Sequence, residues 1–261
     1  MSELRRALVC LLVALCFAQL SGAQTASLRI AAAADLQPVL PALLGEFESQ
    51  TGIHAEASYQ SSAILATQIV NGAPFDLFMA ADMSFPERVI AAGLAEEPQP
   101  IAYARGSLVL WTRNDSRFHS LSVDSLKDPA LKSIAMANPE HAPYGRAAQA
   151  ALMRLGLYDA LKPKLVIAEN IAQTAQFVES GNAELGLISL TLALTPRLRA
   201  SGHYIALPQD SYPPILQGLV VLRRPSGTQP ARRFLDFLAS PPVQQQLQAA
   251  GLAQPSLTLS K

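Results

Sequence analysis

The segment SYQSSAILATQIVNGAPFDLFMAAD, residues 58–82, contains the repeating unit that predicts the fold. A polar loop, Tyr59–Ser62, leads directly into Ala63–Val70, whose apolar residues have helical spacing. Asn71–Pro74 ends this helix, because glycine and proline interrupt regular structure. The following apolar run, Phe75–Ala80, is typical of a buried strand. The segment therefore predicts a loop, helix and strand in close succession.

The same plan recurs along the chain and predicts an α/β fold. Leu28–Ala34 is an apolar run that ends at Asp35, a candidate N-cap for a helix reaching Thr51. In the second half, loops lead into helices near Tyr144 and at Ile171. This alternation favours two α/β lobes, each with a mainly parallel sheet flanked by helices. Ligands in such folds bind where strands end and helices begin, so the two lobes would place four helix starts around one cleft.

The helix starts also indicate which chemistry the cleft suits. Either Ser61 or Ser62 is a plausible N-cap, because a serine hydroxyl can accept a bond from a first-turn N–H group. A helix start carries partial positive charge and unpaired N–H groups, which favour an anion.

Residues 1–23 are predicted to be a cleaved signal peptide. Arg5 and Arg6 precede an apolar stretch, and Ser21-Gly22-Ala23 supplies the small residues of a cleavage site. Both cysteines of the chain, Cys10 and Cys16, fall within this segment. The mature protein is therefore expected in the periplasm, without a disulfide, a thiol nucleophile or a cysteine-bound metal.

Composition excludes several classes of function. The chain has 20 basic and 20 acidic residues, and loss of Glu3, Arg5 and Arg6 leaves a net charge of −1. No basic run indicates nucleic acid, and no charged tail indicates a membrane surface. Residues 24–261 are enough for two lobes of ordinary size.

Several segments make the sequence similar to a known family, the periplasmic molybdate-binding proteins of ABC importers, which are class II solute-binding proteins. The similarity covers essentially all of the chain after residue 23. Its most specific segments are GAPFDLFMAAD, residues 72–82, and NPEHAPYG, residues 138–145. AAAADL at residues 31–36, Ser61-Ser62 and the AEN…VESGNAELGLISL pattern of residues 168–190 also match.

The resemblance implies two lobes that close around one tetrahedral oxoanion held by neutral donors. It implies lobe 1 at residues 24–105 and 217–261 and lobe 2 at 106–216, with crossings near Arg105-Gly106 and Gln217-Gly218. The first-lobe donors would be Asp35, with Ala34 beside it, and Ser62, with Ser61 beside it. The second-lobe donors would be Tyr144 and the backbone N–H of Ile171.

The resemblance also implies the partners. The ligand would be molybdate, with tungstate as a close analogue. No cofactor is expected, and molybdenum would enter only as the bound oxoanion, through the same residues. A monomer would deliver the anion to a membrane permease and its ATPase.

Two positions depart from the family pattern. Many members have serine where Asp35 stands, and a carboxylate repels a dianion. We therefore expect Asp35 to turn away and cap its helix through the N–H of Gln37. Ser189 occupies the place of a ligand-binding tyrosine in some members, and Tyr144 would substitute from a different loop.

Other interpretations stay open from the sequence. Asp35 and Ser62 could be plain N-caps, and Tyr144 could be a turn residue on the lobe surface. The ligand could be another oxoanion, such as sulfate, or a different small solute. A periplasmic hydrolase with Ser62 as nucleophile and His141 as base is a further alternative, although neither a G-x-S-x-G nor an S-x-x-K motif surrounds Ser62.

Overall fold

A computed structural model describes residues 27–225 and 227–255, and it contains two mixed five-stranded sheets with helices packed on them. The predicted signal peptide lies outside the described residues. The strands are β1 Ser27–Ala33, β2 His54–Gln60, β3 Leu77–Ala80, β4 Ile101–Gly106, β5 Leu108–Arg113, β6 Ile134–Ala137, β7 Leu165–Ala168, β8 Leu185–Ser189, β9 Gly202–Ala206 and β10 Ile215–Val221. The α-helices are α1 Leu40–Thr51, α2 Ser62–Val70, α3 Ser84–Ala91, α4 Pro143–Arg154, α5 Tyr158–Leu161, α6 Ile171–Glu179, α7 Leu190–Ala193, α8 Pro196–Ser201, α9 Gln229–Ala239 and α10 Pro241–Ala249. Short 3₁₀ helices span Ala34–Leu36, Val123–Lys127, Lys162–Lys164 and Gln209–Ser211.

The first sheet has the strand order β2-β1-β3-β10-β4. Strand β1 runs parallel to β2 and β3, whereas β10 runs antiparallel to β3 and β4. Ala33 at the end of β1 faces Gln60 at the end of β2. The loops that follow β1 and β2 therefore leave the sheet at the same edge.

The second sheet repeats this plan with the order β7-β6-β8-β5-β9. Strand β6 runs parallel to β7 and β8, and β5 runs antiparallel to β8 and β9. Four of the five strands in each sheet point in the same direction, which confirms the expectation of mainly parallel sheets, and β10 and β5 are the exceptions. The chain enters the first sheet from the other lobe at β10 and the second sheet at β5. These two strands run antiparallel to the strands of the βαβ units.

The chain passes between the sheets twice. Ser107 alone separates β4 of the first sheet from β5 of the second, and residues 207–214 connect β9 to β10. Strand pairing places Gly106, Ile215 and Leu216 in the first sheet, next to the predicted lobe boundaries. Gln217 lies inside β10, at a shift in its register with β4.

The first lobe buries apolar side chains on both faces of its sheet. Phe47 of α1 packs against Phe234 of α9 with ring centroids 5.2 Å apart, so the end of the chain returns to the first lobe. On the other face, Leu65 of α2 packs in a cluster with Val89 of α3. Two covered faces explain why β3, LFMA, and most of β10, ILQGLVV, are buried apolar runs.

The start of α1 differs from the sequence prediction. Asp35 does not cap a continuous helix; instead, a 3₁₀ turn at Ala34–Leu36 is followed by turns, and α1 begins at Leu40. Pro38 and Pro41 explain the interruption, because neither has an N–H group for an i→i−4 bond.

Candidate functional site

The six residues predicted to bind a ligand line one small cleft between the two sheets. They are Ala34, Asp35, Ser61, Ser62, Tyr144 and Ile171. The cleft is nearly closed, with a cavity of about 10 Å³, and Gln60, Ala81 and Asn170 contribute to its walls as well. The walls come from the turn after β1 and from the starts of α2, α4 and α6. The first N–H groups of a helix have no partner within that helix, so three longer helices bring such donors to one place.

The two adjacent serines have different roles. The Ser62 hydroxyl accepts a hydrogen bond from the N–H of Ala81 at 3.0 Å, which ties the start of α2 to the end of β3. Ser61 occupies the N-cap position but makes no side-chain cap bond. Its hydroxyl is buried and has no partner among the described residues. Neither serine is therefore a plain N-cap, and the Ser61 hydroxyl is the one that remains free to donate a hydrogen bond.

Asp35 is fully buried, and its carboxylate contacts the other lobe and the crossing strand. Its Oδ2 accepts hydrogen bonds from the Tyr144 hydroxyl at 3.1 Å and from Gln217 Nε2 at 2.5 Å. Its Oδ1 has no partner among the described residues. The expected cap through Gln37 is wrong, because the Gln37 N–H donates to the backbone oxygen of Ala34 at 3.3 Å. The Gln37 N–H is already bonded within the 3₁₀ turn, so the Asp35 carboxylate is not needed as a cap and can point into the cleft.

Burial sets the protonation of this cluster. It raises the pKa of Asp35 from 3.8 to about 6, because the charged carboxylate loses its water, while the bonds from Gln217 and Tyr144 oppose this rise. Burial and the nearby charge of Asp35 raise the pKa of Tyr144 and that of Tyr103 well above the ordinary value. Both tyrosines therefore keep their protons at neutral pH and act as donors.

Tyr144 lies in the first turn of α4 and is 1% exposed. The interpretation of Tyr144 as a turn residue on the lobe surface is therefore wrong. Its hydroxyl lies against Gly106 at the first crossing, where a Cβ atom would overlap the phenol oxygen. Glycine at position 106 is what lets the hydroxyl reach between the lobes.

Gln217 is a residue of this cluster that the sequence analysis did not identify. Its Oε1 accepts from the Tyr103 hydroxyl at 2.6 Å, and its Nε2 donates to Asp35 and, at 3.3 Å, to the Tyr144 oxygen. It is fully buried in the strand ILQGLVV. A lone amide within an apolar strand was the available signal, since a buried polar side chain needs partners.

The second lobe presents the start of α6. Asn170 caps this helix by accepting from the N–H of Gln173 at 3.0 Å. The Ile171 side chain is buried in the core of the second lobe, and its backbone N–H is one of the first in the helix. Ser189 caps α7 instead and bonds to Thr191, so its hydroxyl is occupied.

Several polar contacts hold the lobes together around the cleft. The Thr191 hydroxyl donates to the backbone oxygen of Asp35 at 2.7 Å. The Ala63 N–H donates to the His141 backbone oxygen at 3.1 Å. Arg146 of α4 forms an ion pair with Asp82 of the first lobe. Lysine and arginine do not line the cleft within the described residues, so its donors are neutral.

The hydrogen bonds of Ser62 and His141 do not match those of a hydrolase nucleophile and its base. The Ser62 hydroxyl bonds to a backbone N–H, and the His141 ring pairs with Glu169 at 2.8 Å. The described residues contain no cluster of three side chains suited to holding a metal ion. No helix in the described part of the chain is long and apolar enough to cross a membrane.

Two α/β lobes joined by two crossings, with a buried polar cleft between them, define a solute-binding protein of the cleft-closing class. The chain belongs to the bacterial extracellular solute-binding protein family, whose match spans residues 28–253. This confirms the predicted fold class and the prediction that the protein is not an enzyme.

The chain is similar to proteins whose ligand is named. Molybdate-binding protein ModA of Azotobacter vinelandii is 36% identical over 229 residues, covering 88% of this chain and 90% of that protein. Molybdate-binding protein ModA of Rhodobacter capsulatus is 35% identical, with 75% of each chain covered. The solved structure of the Azotobacter vinelandii periplasmic molybdate-binding protein matches with a TM-score of 0.82 and 31% identity, covering 87% of this chain and 99% of that one. The predicted family resemblance is confirmed.

Proposed function

We propose that this protein captures molybdate, and its analogue tungstate, for an ABC importer. The observation that carries the proposal is the convergence of unused neutral donors from both lobes on one cleft. These donors are the Ser61 hydroxyl and first-turn N–H groups of α2, α4 and α6, apart from the Ala63 N–H, which donates to His141. The similarity to named molybdate-binding proteins over most of the chain supports the same ligand.

The chemistry of the walls suits a tetrahedral oxoanion. Hydroxyl and backbone N–H groups donate to its oxygens without a countercharge, and helix starts add partial positive charge. A lysine or arginine would attract most anions. With neutral donors at fixed positions, the size of the cleft determines which anion binds. Such a site should favour molybdate and tungstate over the smaller sulfate ion.

Capture proceeds by closure of the lobes on the anion. The first lobe offers Ser61, the second offers the starts of α4 and α6, and the anion connects them. Ligand binding favours the closed form only through contacts that the open form lacks. The bonds of Thr191 to Asp35 and of Ala63 to His141 also join the two lobes, but they involve no ligand, so the anion must add its own contacts with both lobes.

The remaining parts of the proposal concern location and partners. We propose a periplasmic monomer, exported through cleavage of residues 1–23, that presents its closed lobes to a membrane permease driven by an ATPase. The family match and the periplasmic relative support this location.

Calorimetric titration of the purified protein with molybdate, tungstate, sulfate and phosphate tests the proposal. We expect submicromolar binding of molybdate and tungstate, with sulfate about a thousandfold weaker, a difference of about 4 kcal/mol. Absence of heat and of thermal stabilisation with molybdate and tungstate would contradict the proposal. Tight binding of sulfate alone would identify the alternative oxoanion.

A further inference from the structure

Asp35 is the feature of the cleft that the proposed function leaves unexplained. It is the one carboxylic acid among the residues that line the cleft in the described part of the chain. Its side chain is fully buried, and Oδ1 has no hydrogen-bond partner there. A dianion beside an ionised carboxylate would be repelled, and burial strengthens this repulsion because little water screens it.

The hydrogen bonds to Asp35 add a second difficulty. A tyrosine hydroxyl has one proton, and that of Tyr144 is directed to Asp35 Oδ2. While Asp35 is ionised, it therefore holds the proton that Tyr144 would need for binding the oxoanion. Gln217 directs one amide N–H to the same oxygen. The ionised carboxylate thus consumes donors that face the cleft.

We propose that Asp35 binds the oxoanion as a neutral carboxylic acid, taking up one proton from solvent when the ligand enters. This inference rests on the proposed function. The proton attaches to the carboxylate, no other covalent bond changes, and the occupied site carries only the charge of the dianion. Protonated at Oδ1, Asp35 gains a donor for the ligand at the atom that has no partner. Its neutral Oδ2 is a weaker acceptor, so the Tyr144 hydroxyl can turn its proton to the ligand while Gln217 still donates to Oδ2.

The surroundings make this proton exchange accessible near neutral pH. Burial already raises the pKa of Asp35 to about 6, and a bound dianion would raise it further. The other ionisable groups against Asp35 are Tyr144 of α4 and Tyr103 of β4, and both stay neutral. The remaining side chains near it carry no titratable group: Ser61 and Ser62 of α2, Thr191 of α7 and Gln217 of β10.

Charged groups around the rim of the cleft are paired with one another. His141 bonds to Glu169, and Arg146 pairs with Asp82. Of these, a histidine is the group that ordinarily titrates between pH 5 and 8. His141 is therefore the residue whose contribution must be separated from that of Asp35.

The sign of the effect follows from linkage. Above pH 6 the ligand-free protein has an ionised Asp35, so each binding event draws a proton from solution. Molybdate affinity should then fall about tenfold per pH unit between pH 6.5 and 8. At and below pH 6 the affinity should level off, because Asp35 is already protonated.

Calorimetry in buffers of different ionisation enthalpy counts the protons directly. At pH 7.5 we expect the native protein to take up close to one proton per molybdate. Asp35→Asn, which keeps the shape and cannot ionise, should take up none, and its affinity should change less than twofold from pH 6.5 to 8. His141→Gln, which keeps the backbone oxygen that bonds to Ala63, should still take up close to one proton per molybdate.

An independent measurement uses the native protein alone. Infrared difference spectra should show the carbonyl band of a protonated carboxylic acid on addition of molybdate, and this band should be absent in Asp35→Asn. Tight molybdate binding without proton uptake, or uptake that persists in Asp35→Asn, would overturn the inference while the proposed function stands. Failure of the native protein to bind molybdate at every pH would instead overturn the proposed function, and the inference with it.

Discussion

Replacement of Asp35 by asparagine should stabilise the ligand-free protein at neutral pH. The cause is the cost of holding a buried carboxylate in its charged form. Burial raises its pKa from 3.8 to about 6, and one pKa unit corresponds to about 1.4 kcal/mol, so the ionised group costs about 3 kcal/mol at pH 7.5. Asparagine carries no charge, and its carbonyl oxygen can still accept from Tyr144 and Gln217. Its amide group replaces Oδ1, which has no partner, and an unpaired donor there costs about 1 kcal/mol. The free energy of unfolding of Asp35→Asn should therefore exceed that of the native protein by about 2 kcal/mol at pH 7.5.

The gain should depend on pH in a defined direction. The folded protein binds the Asp35 proton more tightly than the unfolded chain, so its free energy of unfolding falls as pH rises from 3.8 to about 6. Above pH 6 the free energy of unfolding falls no further on account of Asp35. The advantage of Asp35→Asn should therefore be absent near pH 4, grow up to pH 6 and stay constant to pH 8.

Urea unfolding followed by circular dichroism, without ligand, measures this difference at each pH. Asp210→Asn is the matched control, because Asp210 is exposed and its replacement should leave stability nearly unchanged at every pH. An Asp35→Asn protein that is no more stable than the native protein at pH 7.5, or a difference that does not vary with pH, would refute the reasoning.

Four further substitutions test the cleft. Tyr144→Phe removes the hydroxyl that joins the second lobe to Asp35, and molybdate affinity in calorimetry should fall about tenfold. Ser61→Ala should weaken binding but leave urea unfolding unchanged, since this hydroxyl has no protein partner within the described residues. Ser62→Ala should lower the free energy of unfolding by about 1–2 kcal/mol, because it leaves a buried backbone N–H unpaired. Gly106→Ala should lower both the melting temperature and the affinity, because the added methyl group overlaps the Tyr144 hydroxyl.

Matched controls exist for these changes. Tyr158→Phe removes a hydroxyl that bonds to Gln149 outside the cleft, so molybdate affinity should not change. Gly45→Ala places a methyl group in α1 where no atom lies within 4 Å, and helix propensity predicts a slight gain in stability. Equal losses in Tyr144→Phe and Tyr158→Phe, or in Gly106→Ala and Gly45→Ala, would contradict the assigned roles.

Local sequence patterns determined the class of fold and the positions of the helix starts. Apolar runs such as Phe75–Ala80 and polar junctions such as Tyr59–Ser62 depend on neighbours a few residues away, and these are visible in the chain itself. The carboxyl ends of parallel strands meet at one edge, so the same patterns brought the six candidate residues to one cleft. The binding roles of these residues stay predictions.

The tertiary structure alone decided which side chains are free to bind. Asp35 is held by Tyr144, which is 109 positions away, and by Gln217, which is 182 positions away, so no local rule could separate a helix cap from a buried acid. Ser61 and Ser62 are equivalent by pattern, and only the end of β3, where Ala81 bonds to Ser62, leaves Ser61 unoccupied. Hydrogen bonding and burial are properties of the packed molecule, and they determine both the partner of a polar group and its charge.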